Sequence, residues 1–217
     1  MNIELARFNM IEQQIRPWEV LDQAVLSLLA IVKREDFVPP AYKALAFVDT
    51  EVPLPGGQSM LEPKVEARLL QELAVHKHER VLEIGAGSGY MAALLAHKAQ
   101  HVTSLEIDPT LATLATANLR RAGVMNATVR ALDGAAGLAA DAPFDVILLS
   151  GSVAEVPPAL LAQLKVGGRL AAVVGQLPVM RAVLVTRSGE HAFHTVEMFD
   201  TVAPRLEGFG EPSQFRF

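Results

Sequence analysis

Cysteine is absent from all 217 residues, which removes disulfides, thiolate nucleophiles and thiolate-bound metals together. Basic residues are the minority among the charges. The 19 Lys and Arg stand against 24 Asp and Glu, the net charge is −5, and no basic cluster exceeds a pair such as Arg120-Arg121. A chain of that sign does not neutralise phosphates well, so nucleic acid is not an expected partner. Long apolar runs are missing too: the longest early one, residues 25–32, is broken by Ser27 and falls well short of a bilayer. The opening Met1-Asn2-Ile3-Glu4-Leu5-Ala6-Arg7 lacks the apolar core of a signal peptide, so a cytoplasmic location without a membrane partner is expected. Repeats and low-complexity tracts are absent as well. What remains, 51% hydrophobic and 20% charged residues, is the composition of one globular core with an elaborated end.

The most informative stretch is Val81-Leu82-Glu83-Ile84-Gly85-Ala86-Gly87-Ser88-Gly89-Tyr90. An apolar run enters three glycines at alternate positions, and a helical apolar pattern follows at once, so a buried strand turns sharply into a helix. Glycine suits a turn that needs positive φ and a close backbone approach to a ligand. The free N–H groups of the helix start favour a polar or anionic ligand group. The dinucleotide fingerprint G-x-G-x-x-G is not matched, because the third glycine comes one residue early. The pattern E-x-G-x-G-x-G resembles the first motif of the S-adenosylmethionine-dependent methyltransferases. Glu106, closing the strand-like run 102–105, is placed to accept hydrogen bonds from the two ribose hydroxyls of a nucleoside. Asp133-Gly134 follows the third strand, where an Asp can accept the exocyclic amine of adenine. The expected cofactor contacts are therefore Glu83, Gly85, Gly87, Ser88, Gly89, Glu106, Ile107, Asp133 and Gly134.

Around this motif the chain alternates. Helical patterns over 3–15, stopped by Pro17, over a segment capped by Asp22, and over 41–47 precede a Pro- and Gly-rich loop at 52–63. Pro63 and Pro109 each suit the first turn of a helix. Residues 128–132, 144–149 and 169–174 read as strands, 157–164 as a helix, and Gly167-Gly168 as the turn before the last of these strands. Runs 182–186 and 195–199 read as an edge hairpin, followed by an irregular tail at 203–217. The expected fold is α/β, a doubly wound, mainly parallel sheet, with residues 1–75 as a helical attachment bearing the substrate loop and 76–217 as the cofactor-binding part of one unit. Trp18 and Tyr42 are expected to pack in the core or a lid. The pairs His76-x-His78 and His97-x-x-x-His101 lack a zincin-type acid, so no metal is expected. His97 and Lys98 suit the negative end of a helix.

Beyond the glycine motif, the chain resembles the protein-L-isoaspartate O-methyltransferases. The likeness rests on Arg34-Glu35-Asp36-Phe37-Val38-Pro39, on Pro53-Leu54 with Gly57-Gln58-Ser59-Met60-Leu61-Glu62-Pro63, on residues 81–90, on Asp133-Gly134 and on Ala142-Pro143-Phe144-Asp145. It implies S-adenosyl-L-methionine as cofactor and an isoaspartyl protein or peptide as substrate, whose free carboxylate is methylated on the way through succinimide back towards aspartate. The loop carrying Gln58, Ser59 and Met60, with Ser150, would border the methyl group. The family's loop reads Gly-Gln-Thr-Ile-Ser-x-Pro; Ser59 stands in the Thr place and Leu61 in that of the Ser regarded as catalytic. Losing that hydroxyl removes a donor worth about 1–3 kcal/mol if the acceptor carboxylate stays buried and unpaired. Glu62 beside it would repel a carboxylate. Ser150-Gly151-Ser152 replaces a Thr-Ala-Ala-like run. Three expectations follow: repair of isoaspartyl proteins with Ser59 supplying the hydroxyl, the same pocket turned to an uncharged small acceptor that Leu61 would suit, or a cofactor-binding protein without turnover.

Overall fold

The computed structural model describes residues 2–210. Helix α1 (Ile3–Asn9) begins at Asn2, whose side chain accepts the Leu5 N–H at 3.2 Å, and runs on through a π-helical stretch, Met10–Ile15. Pro17 lies in the short 3-10 turn Arg16–Trp18 that ends this rod, with Glu19 in the left-handed region just after it. Asp22 caps α2 (Gln23–Ile31) by accepting the Ala24 N–H at 2.7 Å. A 3-10 helix, Pro40–Phe47, occupies the next helical stretch.

The loop at 52–63 is more ordered than its prolines suggest. It holds a two-stranded antiparallel ribbon, β1 (Val52–Pro53) against β2 (Ser59–Met60), with Gly56 and Gly57 at positive φ between them. Strands of two residues leave no period to read. Helix α3 (Pro63–Leu73) follows, with Pro63 in its first turn.

Strands and helices then alternate: β3 (Arg80–Ile84), α4 (Tyr90–Lys98), β4 (His101–Glu106), α5 (Pro109–Arg121), β5 (Ala127–Ala131), β6 (Phe144–Val153), α6 (Pro158–Leu161), β7 (Leu164–Gln176), β8 (Val179–Arg187) and β9 (Phe193–Thr201). They form one seven-stranded sheet in the order β5-β4-β3-β6-β7-β8-β9. Pairings from β5 to β7 are parallel, whereas β8 and β9 add an antiparallel meander at one edge. The helix expected over 157–164 shrinks to the four residues of α6, because Leu164 is drawn into β7 opposite Phe144 and fully buried. Gly167 and Gly168 lie inside β7 at its register shift and not in a turn before it; a Cβ on Gly168 would sit 2.9 Å from Asp145 O.

Side-chain alternation sorts the central strands onto two faces. Val81, Val146 and Leu148 share a core with residues of α2 to α5 and of the opening rod, whereas Leu82, Ile84, Ile147 and Leu149 face a second core with Leu160 of α6. On the second face α6 is joined by Leu138 and Ala142, which flank the 3-10 turn Ala139–Asp141, and by Leu206 and Phe209 of the closing segment. Trp18 and Tyr42 lie at the surface and not in the core, 36% and 39% exposed; Trp18 meets Phe199 edge-on at 6.5 Å. His97 and Lys98 do occupy the last turn of α4. Among the described residues no helix is long and apolar enough to cross a membrane.

Candidate active site

The chain leaves β3 for β4 on one side and enters β6 on the other, so the crevice beyond the carboxyl end of β3 is the topological switch point where open α/β sheets hold ligands. Three glycines make it accessible: Gly85, Gly87 and Gly89 have φ of 92°, 52° and 84°, a region where side chains are strained. Gly89 caps α4 and packs so closely on α5 that a Cβ would lie 3.1 Å from Ala115 O. Ser88 is buried beside it, its carbonyl accepting Asn118 Nδ2–H at 2.9 Å.

Glu106, at the end of β4, is held in place by main chain. Its two oxygens accept the N–H groups of Gly87 at 2.8 Å and Asp108 at 3.1 Å. A carboxylate has about four lone-pair sites, so acceptors remain for two hydroxyls on the cleft side. Ile84, Leu105, Ile107 and Leu111 give that cleft apolar walls suited to a flat ring. Gly134 also lines it, and a Cβ there would sit 2.4 Å from Ile84 Cγ2. Its neighbour Asp133 is exposed, and its Oδ1 accepts the Ala135 N–H at 2.9 Å, so this carboxylate also closes its own turn.

Beneath the glycines lies a second, smaller chamber lined by Ser59, Leu61, Glu66, Glu83 and Ser150. Glu83 is fully buried; Ser104 Oγ donates to one of its oxygens at 2.6 Å and Ser150 Oγ to the other at 2.8 Å. Burial pushes its carboxyl up to about 7, the two hydroxyls pull it back, and the charges of Glu106 and Glu66 push it further up. Glu66 is likewise raised to about 7 by burial, against the pull of its ion pair with Arg34. Arg34 is itself fully buried and also donates from Nη2 to Leu61 O at 2.8 Å, which fixes the loop by its main chain.

The substrate loop departs from expectation in its hydrogen bonding. The Leu61 side chain is 5% exposed and belongs to the main core, so it contributes packing and no polar group. Ser59 Oγ donates its proton to Glu51 Oε2 at 2.9 Å. Met60 is buried in the core. Glu62 is offset by Lys64 at 3.1 Å, which also holds Asp49 at 2.7 Å.

A strap crosses the cleft where the sequence pattern predicts an irregular tail. Ser152 N–H donates to Pro204 O at 2.7 Å and Leu206 N–H to Ser152 O at 2.9 Å, tying residues 204–206 to β6. Gln58 Nε2 then donates to Glu207 Oε1 at 2.6 Å, so the strap reaches the substrate loop. Leu206 lies so close that a Cβ on Gly85 or on Gly151 would come within 2.8 Å of its Cδ2. This explains Gly151: an alanine there would collide with the strap. The rest of the expected tail, residues 211–217, lies outside the described residues. Glu66 carries a signal in the sequence, an acid at helical spacing from Leu70 and Leu73, and Arg34 enters through the family-like run 34–39; nothing in the pattern links Ser104 or Leu206 to the cleft.

Residues 6–202 match the model of the family described as Protein-L-isoaspartate(D-aspartate) O-methyltransferase (PCMT). A protein-L-isoaspartate O-methyltransferase of Rhodopseudomonas palustris is 40% identical over 207 residues, 94% of this chain and 95% of that one. That of Koribacter versatilis is 41% identical over 183 residues, 84% of this chain and 82% of its own. In fold the chain is similar to a Plasmodium falciparum protein-L-isoaspartate O-methyltransferase crystallised with S-adenosyl-L-homocysteine, with a TM-score of 0.81 at 19% identity over 93% of this chain and 98% of that one. With a family model spanning nearly the whole described chain and relatives this similar end to end, the chain belongs to the protein-L-isoaspartate(D-aspartate) O-methyltransferase family.

Proposed function

We propose that this chain is a cytoplasmic enzyme that methylates the free carboxylate of isoaspartyl residues in damaged proteins, with S-adenosyl-L-methionine as donor. The observation that carries the reading is the end-to-end family match, supported by a cleft whose chemistry fits the donor. Gly85 and Gly87 leave room for it, Glu106 retains acceptors for its ribose hydroxyls, and the wall of Leu105, Ile107 and Leu111 suits its base. When bound, that cofactor supplies a methyl group on a positively charged sulfur. A carboxylate acceptor is already ionised and nucleophilic at neutral pH, so the chain needs no general base. What its residues contribute is placement and exclusion of water. The Gln58–Glu207 bond and Leu206 close one side of the cleft, and the Arg34 bond to Leu61 O holds the loop on the other.

The test is methyl release from an isoaspartyl peptide, compared between the wild type and Leu61→Ser. Turnover by the wild type is expected, with kcat/KM raised roughly tenfold in the variant if a restored hydroxyl reaches the acceptor, in keeping with about 1–3 kcal/mol for such a donor. A wild type that binds S-adenosylmethionine but methylates no isoaspartyl peptide, with or without Ser at 61, would rule the reading out.

A further inference from the structure

Residues 34–37 open the family-like run, yet none of them lines the cleft or the chamber beneath it. They bear on both from behind. Tyr90, which follows the Gly89 cap of the cofactor turn, has its ring 5.4 Å from that of Phe37 and 5.3 Å from the Arg34 guanidinium. The same turn is held at Ser88, whose carbonyl accepts from Asn118 Nδ2 at 2.9 Å. Arg121 ties that amide back to the run: its Nη2 donates to Asn118 Oδ1 at 2.7 Å and to Asp36 O at 2.6 Å. The run also reaches the substrate loop, where Arg34 Nη2 donates to Leu61 O at 2.8 Å. Glu35 pins it to α1 by pairing with the buried Arg7. One guanidinium therefore rests on a ring of the cofactor turn and holds a carbonyl of the substrate loop.

We propose that Tyr90 and Asn118 are positioning residues that couple the cofactor turn to the substrate loop through residues 34–37, so that cofactor and peptide bind cooperatively. The coupling rests on the isoaspartyl reading above and states how that site holds its two ligands together. A cofactor that orders the turn fixes Ser88 and Tyr90, and with Tyr90 the guanidinium that steadies the loop. The peptide then meets a loop already ordered, and binds more tightly. By linkage the peptide tightens cofactor binding by the same factor. Tyr90 is buried, and its hydroxyl bonds to no group among the described residues, so the ring is the part that acts.

Fluorescence anisotropy of a labelled isoaspartyl peptide, titrated with protein with and without saturating S-adenosylhomocysteine, measures the coupling as a ratio of dissociation constants. For the wild type this ratio should be roughly five- to tenfold. In Tyr90→Leu it should fall below about twofold, whereas Tyr90→Phe, which keeps the ring, should retain the wild-type ratio. Asn118→Asp is nearly isosteric, so it serves even where Tyr90→Leu fails to fold. It keeps an acceptor for Arg121 but loses the donor to Ser88 O, and its ratio should fall likewise. A merely structural loss would lower the melting temperature and leave the ratio in place. A ratio of one in a wild type that binds both ligands, a wild-type ratio in Tyr90→Leu or Asn118→Asp, or a ratio lost in Tyr90→Phe overturns the coupling alone. A wild type that binds S-adenosylhomocysteine but no isoaspartyl peptide overturns the isoaspartyl reading and the coupling together.

Discussion

Glu83 shows how much one residue at this site depends on its surroundings. Among the described residues no cation pairs with it; burial pushes its carboxyl up to about 7 from 4.5, with two serine hydroxyls pulling it back and the charges of Glu106 and Glu66 adding to the rise. Between those values the folded chain keeps a proton that the unfolded chain has released. The folded form thus binds more protons, and stability must fall as pH rises through that window. The effect is on the order of 3 kcal/mol for a group so fully buried. Glu83→Gln keeps an acceptor for one serine and gives the other a donor to accept from, but cannot ionise. Urea unfolding of the cofactor-free protein from pH 4.5 to 8 should give a flatter stability profile for this variant than for the wild type. Superimposable profiles would show that folding does not raise the Glu83 carboxyl.

At the scale of elements, the site is assembled from pieces of unequal legibility. The β3–α4 turn could be read directly, because alternate glycines between an apolar run and a helical pattern have few other solutions, and the same holds for Asp22 and Pro109 at helix starts. The strap could not. Its hold on the cleft is made by contacts between Leu206 and Gly85 or Gly151, far apart in the chain, and by main-chain bonds to Ser152 that no side-chain pattern encodes. Gly151 carried the trace of it, as a departure from the family's small residues whose cause is steric. A segment that lines the cleft in this way should slow the release of what the cleft holds. Leu206→Ala removes most of its buried contact, worth about 1–2 kcal/mol, so dissociation of S-adenosylhomocysteine in stopped flow should speed up roughly tenfold. An unchanged off-rate would mean that the strap does not gate the cofactor.

For the molecule as a whole, the α/β alternation and the edge hairpin were legible, whereas the joining of the opening helices to the sheet was not. That joining is physical: Met10, Ile15 and Leu29 share one core with Val81 and Val146, and Arg34, fully buried, bridges from the opening segment to Glu66 on α3 and to Leu61 O in the substrate loop. A buried ion pair adds little against an apolar isostere, yet breaking one partner strands a charge. Arg34→Met should therefore destabilise the chain by about 3–5 kcal/mol, and adding Glu66→Leu should recover most of that loss in urea unfolding. Catalysis should not follow stability. Both variants leave Leu61 O without its donor, so the KM for an isoaspartyl peptide should stay raised in the double variant after its stability has returned. A double variant with restored stability and an unaltered KM would show that the Arg34 bond anchors the fold but not the loop; a single variant no less stable than the double would remove the stranded charge from the account.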